Sequence, residues 1–214
     1  MGNLFVSLLV EDPFVYFSWI LTVVFSICVH EFAHAYTALQ SGDDTAARAG
    51  HLTLNPLVQM GRTSLFMLLF IGLAWGSVPV EPKRMRRKSG AALTAVAGPV
   101  ANLTLCVAAA LLTTVTRRIF SPQDALAEFF WTAAYANAVL FLLNMLPVPM
   151  LDGWTVYRYV IPSLQRIKRE QARPFSAILL FLIVLTPLGD LLWKTGERFA
   201  VGLVSGWEGL LGIF

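Results

Sequence analysis

The sequence predicts an all-α polytopic membrane protein with about four to six transmembrane helices and a short membrane-associated β segment. Of the 214 residues, 57% are hydrophobic and only 14% are charged, and the mean hydropathy is +0.66. Several uncharged runs approach the ~20 residues that a helix needs to cross a bilayer. No repeat or long polar linker separates these runs, so we expect residues 1–214 to form a single domain. Its core is expected over about residues 14–153, with an additional helix and tail over residues 154–214.

The first predicted span, Phe14–Leu39, carries an H-E-x-x-H motif inside an apolar run. In a helix, His30 and His34 lie one turn apart on the same face. Two imidazoles placed in this way can share a zinc ion, and Glu31 between them can reach a water molecule beside it. Polar side chains are costly within a membrane span, so this cluster indicates a functional site. Intramembrane histidines also serve in proton relays and transporters, and the motif alone does not separate these possibilities from zinc.

Four shorter features follow the first span. The alternation over His51–Leu54, bounded by glycine and proline, predicts a short strand. The apolar run Leu65–Trp75 has only about half the length of a span, which favours a re-entrant or interfacial segment. Extended chain is expected over Ser77–Val80, and the basic cluster Lys83–Lys88 indicates membrane orientation more than a binding patch.

Three further apolar regions complete the chain. Gly90–Thr116 is a predicted span, and the glycine, proline and asparagine of Gly98–Asn102 predict a kinked packing site within it. Phe129–Leu151 is the next span. Another runs from Phe175 to about Trp193, and the glycine-rich tail Phe199–Phe214 is expected to be interfacial.

Asp152 is the best candidate for a third metal ligand. A catalytic zinc site usually takes three protein ligands and leaves the fourth position open. Asp152 closes an apolar run, and Gly153 beside it lets the backbone turn tightly. Two prolines between Asn144 and Asp152 should break the helix and bring these two side chains together. Asp152 could also simply cap a helix end in water, and His51 and Asp190 are alternative ligands in weaker settings.

The position of the candidate ligands constrains the path through the membrane. His30 and His34 lie near the C-terminal end of one span and Asp152 at the C-terminal end of another, so a shared metal requires both ends at one face. A re-entrant Leu65–Trp75 meets this condition, and a crossing one does not. The re-entrant path also places 12 of the 16 Lys and Arg residues on one side, whereas a crossing divides them 10 to 6. Since positive residues accumulate in the cytoplasm, we expect the site nearer the cytoplasmic face.

Three motifs in this order resemble those of the site-2 protease family of intramembrane zinc metalloproteases. They are H-E-x-x-H at residues 30–34, G-P-V-A-N at residues 98–102, and N-M-L-P followed by L-D-G over residues 144–153. Gly50–Pro56 further resembles a segment of the compact prokaryotic members, which have no PDZ-like or CBS-like domain. The chain departs from their pattern at Gln59–Arg62, where a His-x-Asp-Pro-like stretch is common.

The resemblance implies a three-helix catalytic core that binds one zinc ion through His30, His34 and Asp152. It further implies that Glu31 acts as the general base and that Asn144 helps to stabilise the oxyanion. Family members cut single-pass membrane proteins within or near the bilayer and release a soluble fragment. For this chain the expected location is the cell membrane of a prokaryote, with the lipid bilayer, a substrate and a possible separate regulatory membrane protein as partners, and no nucleic acid.

The main alternative is a non-proteolytic membrane protein, either a metal transporter or an inactive relative that binds partners. A transporter would line a continuous path with polar residues, whereas here the polar residues gather toward one face. An inactive relative would be expected to lack Glu31. A substrate helix must also unwind before cleavage, and the extended segments Leu52–Asn55 and Val78–Val80 are the candidates for pairing with it as a strand.

Overall fold

The computed structural model of the chain describes residues 5–121, 124–166 and 186–212. Within these ranges all regular secondary structure is helical. The α-helices are α1 (Leu8–Glu11), α2 (Pro13–Ser41), α3 (Thr45–Arg48), α4 (Pro56–Gln59), α5 (Gly61–Ile71), α6 (Gly90–Ile119), α7 (Ala125–Asn144), α8 (Asp152–Val160) and α9 (Pro187–Leu210). Short 3-10 turns lie at Phe5–Ser7, Pro82–Arg84 and Pro162–Arg166.

Helices α2, α6 and α7 pack together as a three-helix core, and each is long and apolar enough to cross a membrane. The chain is therefore an integral membrane protein, as the composition predicts. The larger predicted count of spans depends on a helix from Phe175 to about Trp193, and most of that segment lies outside the described residues.

Helix α2 illustrates how the core is built for an apolar surrounding. A stripe of hydroxyl side chains with four-residue spacing is buried in the protein: Ser18, Thr22 and Ser26. The neighbouring stripe is apolar and between 52% and 60% exposed: Phe17, Leu21 and Phe25. A water-soluble protein has the reverse arrangement, so this burial pattern supports a lipid-facing surface on α2.

Helix α9 packs against α6 and α7 through small side chains. Gly196 lies so close to α7 that a Cβ atom there would stand 2.5 Å from the Val139 side chain. One turn and two turns later, Ala200 and Val204 are buried in the same contact. The predicted division between a span ending near Trp193 and a separate tail is therefore wrong, because one continuous helix runs to Leu210.

The chain breaks between α7 and α8 as the prolines predict. Helix α7 ends at Asn144 rather than at Leu151, and α8 begins at Asp152 after a loop that contains both prolines. Helix α6, in contrast, remains helical through Pro99. The break lets α8 pack against α6, which carries Asp152 toward the core.

The predicted strand over His51–Leu54 is wrong, because the segment is an irregular loop held by the side chain of Gln59. The amide nitrogen of Gln59 donates to the carbonyls of His51, at 2.9 Å, and Thr53, at 2.6 Å. The amide oxygen of Gln59 lies 3.2 Å from Nδ1 of His51. Backbone carbonyls that bond to this buried side chain are not available to a neighbouring strand.

The apolar run Leu65–Trp75 forms the last part of α5 and the chain after it. Helix α5 has 11 residues, which corresponds to about 16 Å, roughly half the ~30 Å of a bilayer core. It ends at Gly72, whose φ of 79° is left-handed. Residues 73–81, named the strap here, then run as irregular chain without a helix or an assigned strand. The re-entrant path of the run stays a prediction.

Candidate metal centre

Three potential ligand atoms meet where α2 faces the start of α8. Nε2 of His30 lies 2.9 Å from Nε2 of His34 and 3.0 Å from Oδ2 of Asp152. Nε2 of His34 lies 3.3 Å from the same carboxylate oxygen. Within the described part of the chain, these are the side chains grouped closely enough to hold a metal ion. The H-E-x-x-H spacing brings the two imidazoles together, and the break before α8 brings the carboxylate to them.

Backbone contacts fix the orientation of His34. Its Nδ1 lies 2.7 Å from the carbonyl oxygen of Thr94 on α6. Since a carbonyl oxygen only accepts, Nδ1 carries the proton, and a neutral His34 therefore presents the lone pair of Nε2.

A chain of two asparagines fixes His30 in the same way. Nδ1 of His30 lies 2.6 Å from Oδ1 of Asn102 on α6. The amide nitrogen of Asn102 donates to Oδ1 of Asn137 on α7, at 3.1 Å. The amide nitrogen of Asn137 donates in turn to the carbonyl of Ala133, at 2.9 Å. Because the Ala133 carbonyl can only accept, the hydrogen bonds run from His30 through Asn102 and Asn137 to Ala133. Nδ1 of His30 therefore donates, and its Nε2 presents a lone pair to Asp152.

The donor set fits zinc. Two imidazole lone pairs and a carboxylate oxygen directed at one point repel one another unless a cation lies between them. Ligand atoms about 2.05 Å from a tetrahedral zinc are about 3.3 Å apart, close to the 2.9–3.3 Å observed among these atoms. Two histidines and one carboxylate also leave a fourth position for water or substrate, as catalytic zinc sites do.

Two glycines give the site its space. A Cβ atom on Gly98 of α6 would lie 2.5 Å from Nε2 of both His30 and His34, where the metal would bind. A Cβ atom on Gly76 of the strap would collide with the carboxylate of Glu31, with Cδ at 2.7 Å. The sequence pattern predicts a helix-packing role for Gly98, and in the structure this glycine also makes room for the ligands.

The cluster lies in a cleft of about 800 Å³ between the strap on one side and the start of α8 on the other. Glu31, 7% exposed, lines this cleft beside the two histidines. Asn144 also lines it, at the end of α7, and one of its Nδ2 hydrogens is donated to the carbonyl of Leu140 at 3.0 Å. The arrangement therefore places a carboxylate and an amide group in the same cleft as the three potential ligands.

The structure separates the predicted site residues from the alternatives. His30, Glu31, His34, Asp152 and Asn144 line one cleft. The rival ligands do not join the cluster: His51 contacts Gln59, and Asp190 lies in the first turn of α9.

Sequence reasoning missed the orienting role of Asn102 and did not identify Asn137. Asn137 is 2% exposed within an uncharged run, and a polar amide at such a position is itself a signal of function.

Comparisons with known proteins agree with this site. The model of peptidase family M50 matches residues 118–186. "Putative zinc metalloprotease YwhC" of Bacillus subtilis is 34% identical over 182 residues, which cover 81% of this chain and 83% of that protein. "Putative zinc metalloprotease Rip2" of Mycolicibacterium smegmatis is 34% identical over 176 residues, and its namesake in Mycobacterium tuberculosis over 174. Each alignment covers 76% of this chain and 64% of the Rip2 protein. No solved structure matches the chain at a significant level.

Proposed function

Because the chain belongs to peptidase family M50, the site-2 protease family, we propose that it is a zinc endopeptidase that cuts membrane-protein substrates within or near the bilayer. The observation that carries the proposal is the position of the ligand cluster. His30, His34 and Asp152 converge beside Glu31 in a cleft that is walled by apolar helices. A hydrolytic site among membrane-spanning helices acts on peptide bonds that are themselves at the membrane.

Each residue of the cluster has a role in this proposal. His30, His34 and Asp152 hold the zinc ion, which when bound polarises a carbonyl group and makes water nucleophilic near neutral pH. Glu31 takes the proton from the attacking water and later delivers it to the leaving amine. Asn102, Asn137 and the Thr94 carbonyl hold the two imidazoles in the tautomer that binds the metal, and their role is to orient these rings.

Asn144 is the proposed oxyanion donor. One Nδ2 hydrogen is used within α7, in the bond to the Leu140 carbonyl, which fixes the direction of the amide. An amide nitrogen has two hydrogens, so the second is available to a substrate in the cleft. A fixed donor aimed at a developing oxyanion stabilises the transition state without reorganisation.

The substrate is proposed to bind as an extended strand along the strap. A helical peptide bond is sheltered by its own hydrogen bonds, so the substrate helix must first unwind. Of the two candidate segments, Leu52–Asn55 is disfavoured because Gln59 already bonds to carbonyls in or beside it. Gly76 and Val78 line the cleft, and their backbone groups form no hydrogen bond with other described residues. An extended peptide can add to such an edge.

The site is proposed to lie nearer the cytoplasmic face of a prokaryotic cell membrane, because the predicted topology gathers most positive residues on that side. Cleavage there releases a soluble fragment from a single-pass substrate. A separate membrane protein is the proposed regulator, and no nucleic acid is involved.

The test combines zinc content with cleavage of a doubly tagged single-span membrane protein reconstituted with the purified enzyme. Glu31→Gln is expected to keep zinc and to lose about 100-fold or more in rate, because the base is lost. Asp152→Ala is expected to lose both zinc and cleavage. Asp190→Ala, an exposed acid on α9, serves as the matched control. Full cleavage by Glu31→Gln contradicts the protease mechanism, and normal zinc occupancy in Asp152→Ala removes Asp152 as a ligand.

A further inference from the structure

Among the described residues, the backbone hydrogen bonds of the strap are made by Trp75, Ser77 and Glu81. Trp75 and Ser64 exchange two hydrogen bonds, since the Trp75 amide donates to Oγ of Ser64 at 2.8 Å and Oγ donates to the Trp75 carbonyl at 2.7 Å. The amide of Ser77 donates to the carbonyl of Gln59 at 3.1 Å. The amide of Glu81 donates to Oδ2 of Asp43 at 2.6 Å. All the attached residues have odd numbers.

The alternation has a consequence for the opposite edge. In extended chain the N–H and C=O groups of successive residues point to opposite edges. Between Trp75 and Glu81 the one odd position that is not attached is residue 79, a proline, which has no N–H to satisfy. The alternation leaves the backbone groups of Gly76, Val78 and Val80 without a hydrogen bond to other described residues, and residues 74–80, odd and even alike, line the cleft.

The three groups that hold the strap are deeply buried. Asp43 and Ser64 are 0% exposed and Gln59 is 1% exposed. Each comes from a different element: Asp43 follows α2, Gln59 ends α4 and Ser64 lies in α5. Buried polar groups are costly unless bonded, so the Ser64 hydroxyl, Oδ2 of Asp43 and the backbone carbonyl of Gln59 favour the arrangement of the strap in which the strap bonds to them.

Asp43 ties the strap to the helix that carries the metal ligands. Its Oδ1 accepts from the amide and hydroxyl of Thr45, at 3.1 and 2.5 Å, while its Oδ2 accepts from the amide of Glu81. Both carboxylate oxygens are thus in use, one on the turn after α2 and the other on the strap. Nearby, the exposed Arg84 pairs with Asp44 at 2.9 Å, and an exposed pair of this kind contributes little.

We propose that Ser64 and Asp43 are positioning residues that hold the strap in the register in which its free backbone edge faces the metal site and receives the substrate strand. The inference rests on the proposed function, because the free edge matters only if a substrate peptide enters the cleft. Neither residue touches the reacting atoms. Their contribution is to substrate binding, so their loss raises KM more than it lowers kcat.

Two matched pairs of variants test the inference. Ser64→Ala removes both bonds to Trp75, and Thr63→Ala is its control because Thr63 is exposed on the same helix. Asp43→Asn keeps one acceptor oxygen of two. Asp44→Asn is its control, because the neighbouring carboxylate pairs with Arg48 and Arg84 and not with the strap. Ser64→Thr retains a hydroxyl and is expected to restore the behaviour of the wild type.

The first readout is residue-resolved amide hydrogen exchange, which does not depend on activity. In the wild type we expect slow exchange at Trp75, Ser77 and Glu81 and fast exchange at Gly76 and Val78. Ser64→Ala should accelerate exchange at Trp75 by about 10-fold, as expected for the loss of one hydrogen bond. The second readout is steady-state cleavage of the tagged single-span protein, in which KM should rise about 10-fold with kcat within about twofold.

The inference is overturned if Gly76 and Val78 are protected as strongly as their neighbours, or if Trp75 exchange is unchanged in Ser64→Ala. It is also overturned if both Ser64→Ala and Asp43→Asn leave KM at the wild-type value. Should Ser64→Ala fail to fold, Asp43→Asn and exchange at Glu81 decide the outcome. If the wild-type enzyme binds zinc but cuts no membrane substrate, the proposed function is contradicted. The amide exchange pattern then still tests whether Ser64 and Asp43 hold the strap.

Discussion

Replacement of Asn102 by leucine tests how the site prepares His30 for zinc. Asn102 is 1% exposed and accepts from Nδ1 of His30 at 2.6 Å while donating to Asn137 at 3.1 Å. Leucine has a similar size but neither accepts nor donates. The change therefore leaves two buried polar groups without partners and alters the local packing little.

The size of the expected loss in zinc affinity depends on whether the bond from His30 to Asn102 is needed with zinc bound or without it. With zinc on Nε2, Nδ1 of His30 must carry a proton, and a buried donor without a partner costs about 1–3 kcal/mol. Without zinc, the imidazole can change its tautomer and reduce this cost. The penalty thus falls mainly on the zinc-bound state, and we expect zinc affinity to fall about 10- to 100-fold, the range typical for outer-shell partners of metal ligands.

The assay is zinc affinity, measured by competition with a fluorescent chelator in detergent, beside the midpoint of thermal unfolding of the metal-free protein. Asn102→Asp keeps an acceptor for Nδ1 and is expected to bind zinc at least ten times more tightly than Asn102→Leu. Asn137→Leu acts one bond farther from the metal and should weaken zinc binding less than Asn102→Leu does. A folded Asn102→Leu with wild-type zinc affinity would refute the reasoning, since His30 would then need no orienting acceptor.

Three further predictions concern close contacts, pH and the strap. Gly98→Ala should abolish zinc binding without unfolding the helix bundle, because its Cβ would lie 2.5 Å from Nε2 of both histidines; zinc content by atomic absorption checks this. Burial raises the pKa of the Asp43 carboxyl, but hydrogen bonds from the Thr45 side chain and from the Glu81 and Thr45 amides lower it more, so its net pKa is lowered. The ionised Asp43 therefore stabilises the fold above its unfolded pKa of about 3.9. The difference in the midpoint of thermal unfolding between the wild type and Asp43→Asn should have its full size at pH 7 and become smaller as the pH falls below about 4. Val78→Pro removes an N–H from the free edge and should abolish cleavage while zinc content stays normal, and unimpaired cleavage would exclude that edge as the substrate's partner.

The local parts of the site could be predicted from the sequence, because they depend on short spacings. His30 and His34 are one helical turn apart in any α-helix, and the prolines before Asp152 end α7 wherever the helix lies. The contacts of Asn102 and Asn137 depend on how α6 and α7 are rotated against α2. One sequence contains no direct record of that rotation, so the orienting chain emerged only from the structure.

The free edge of the strap was predictable only in part for a similar reason. The composition predicts extended chain over Ser77–Val80, and the structure has irregular chain there. Which strap residues are attached depends on Ser64 and Asp43, which lie 11 and 38 residues away from their partners. The alternation over His51–Leu54 misled because period-two patterns also occur in loops. There the deciding contact comes from the side chain of Gln59, and no pattern within the segment reveals it.

Gln59 also shows how a departure from a family pattern is to be interpreted. The resemblance to the compact prokaryotic members implies a histidine at this position, and a neutral histidine offers one donor and one acceptor. Glutamine offers two donors and an acceptor oxygen, and here all of these capacities are used: two bonds to the carbonyls of His51 and Thr53, and one contact with the His51 ring. The same residue supplies the carbonyl that accepts from Ser77 of the strap. Gln59 therefore holds the loop through its side chain and the strap through its backbone carbonyl, and in this way it supports the wall of the cleft beside Glu31.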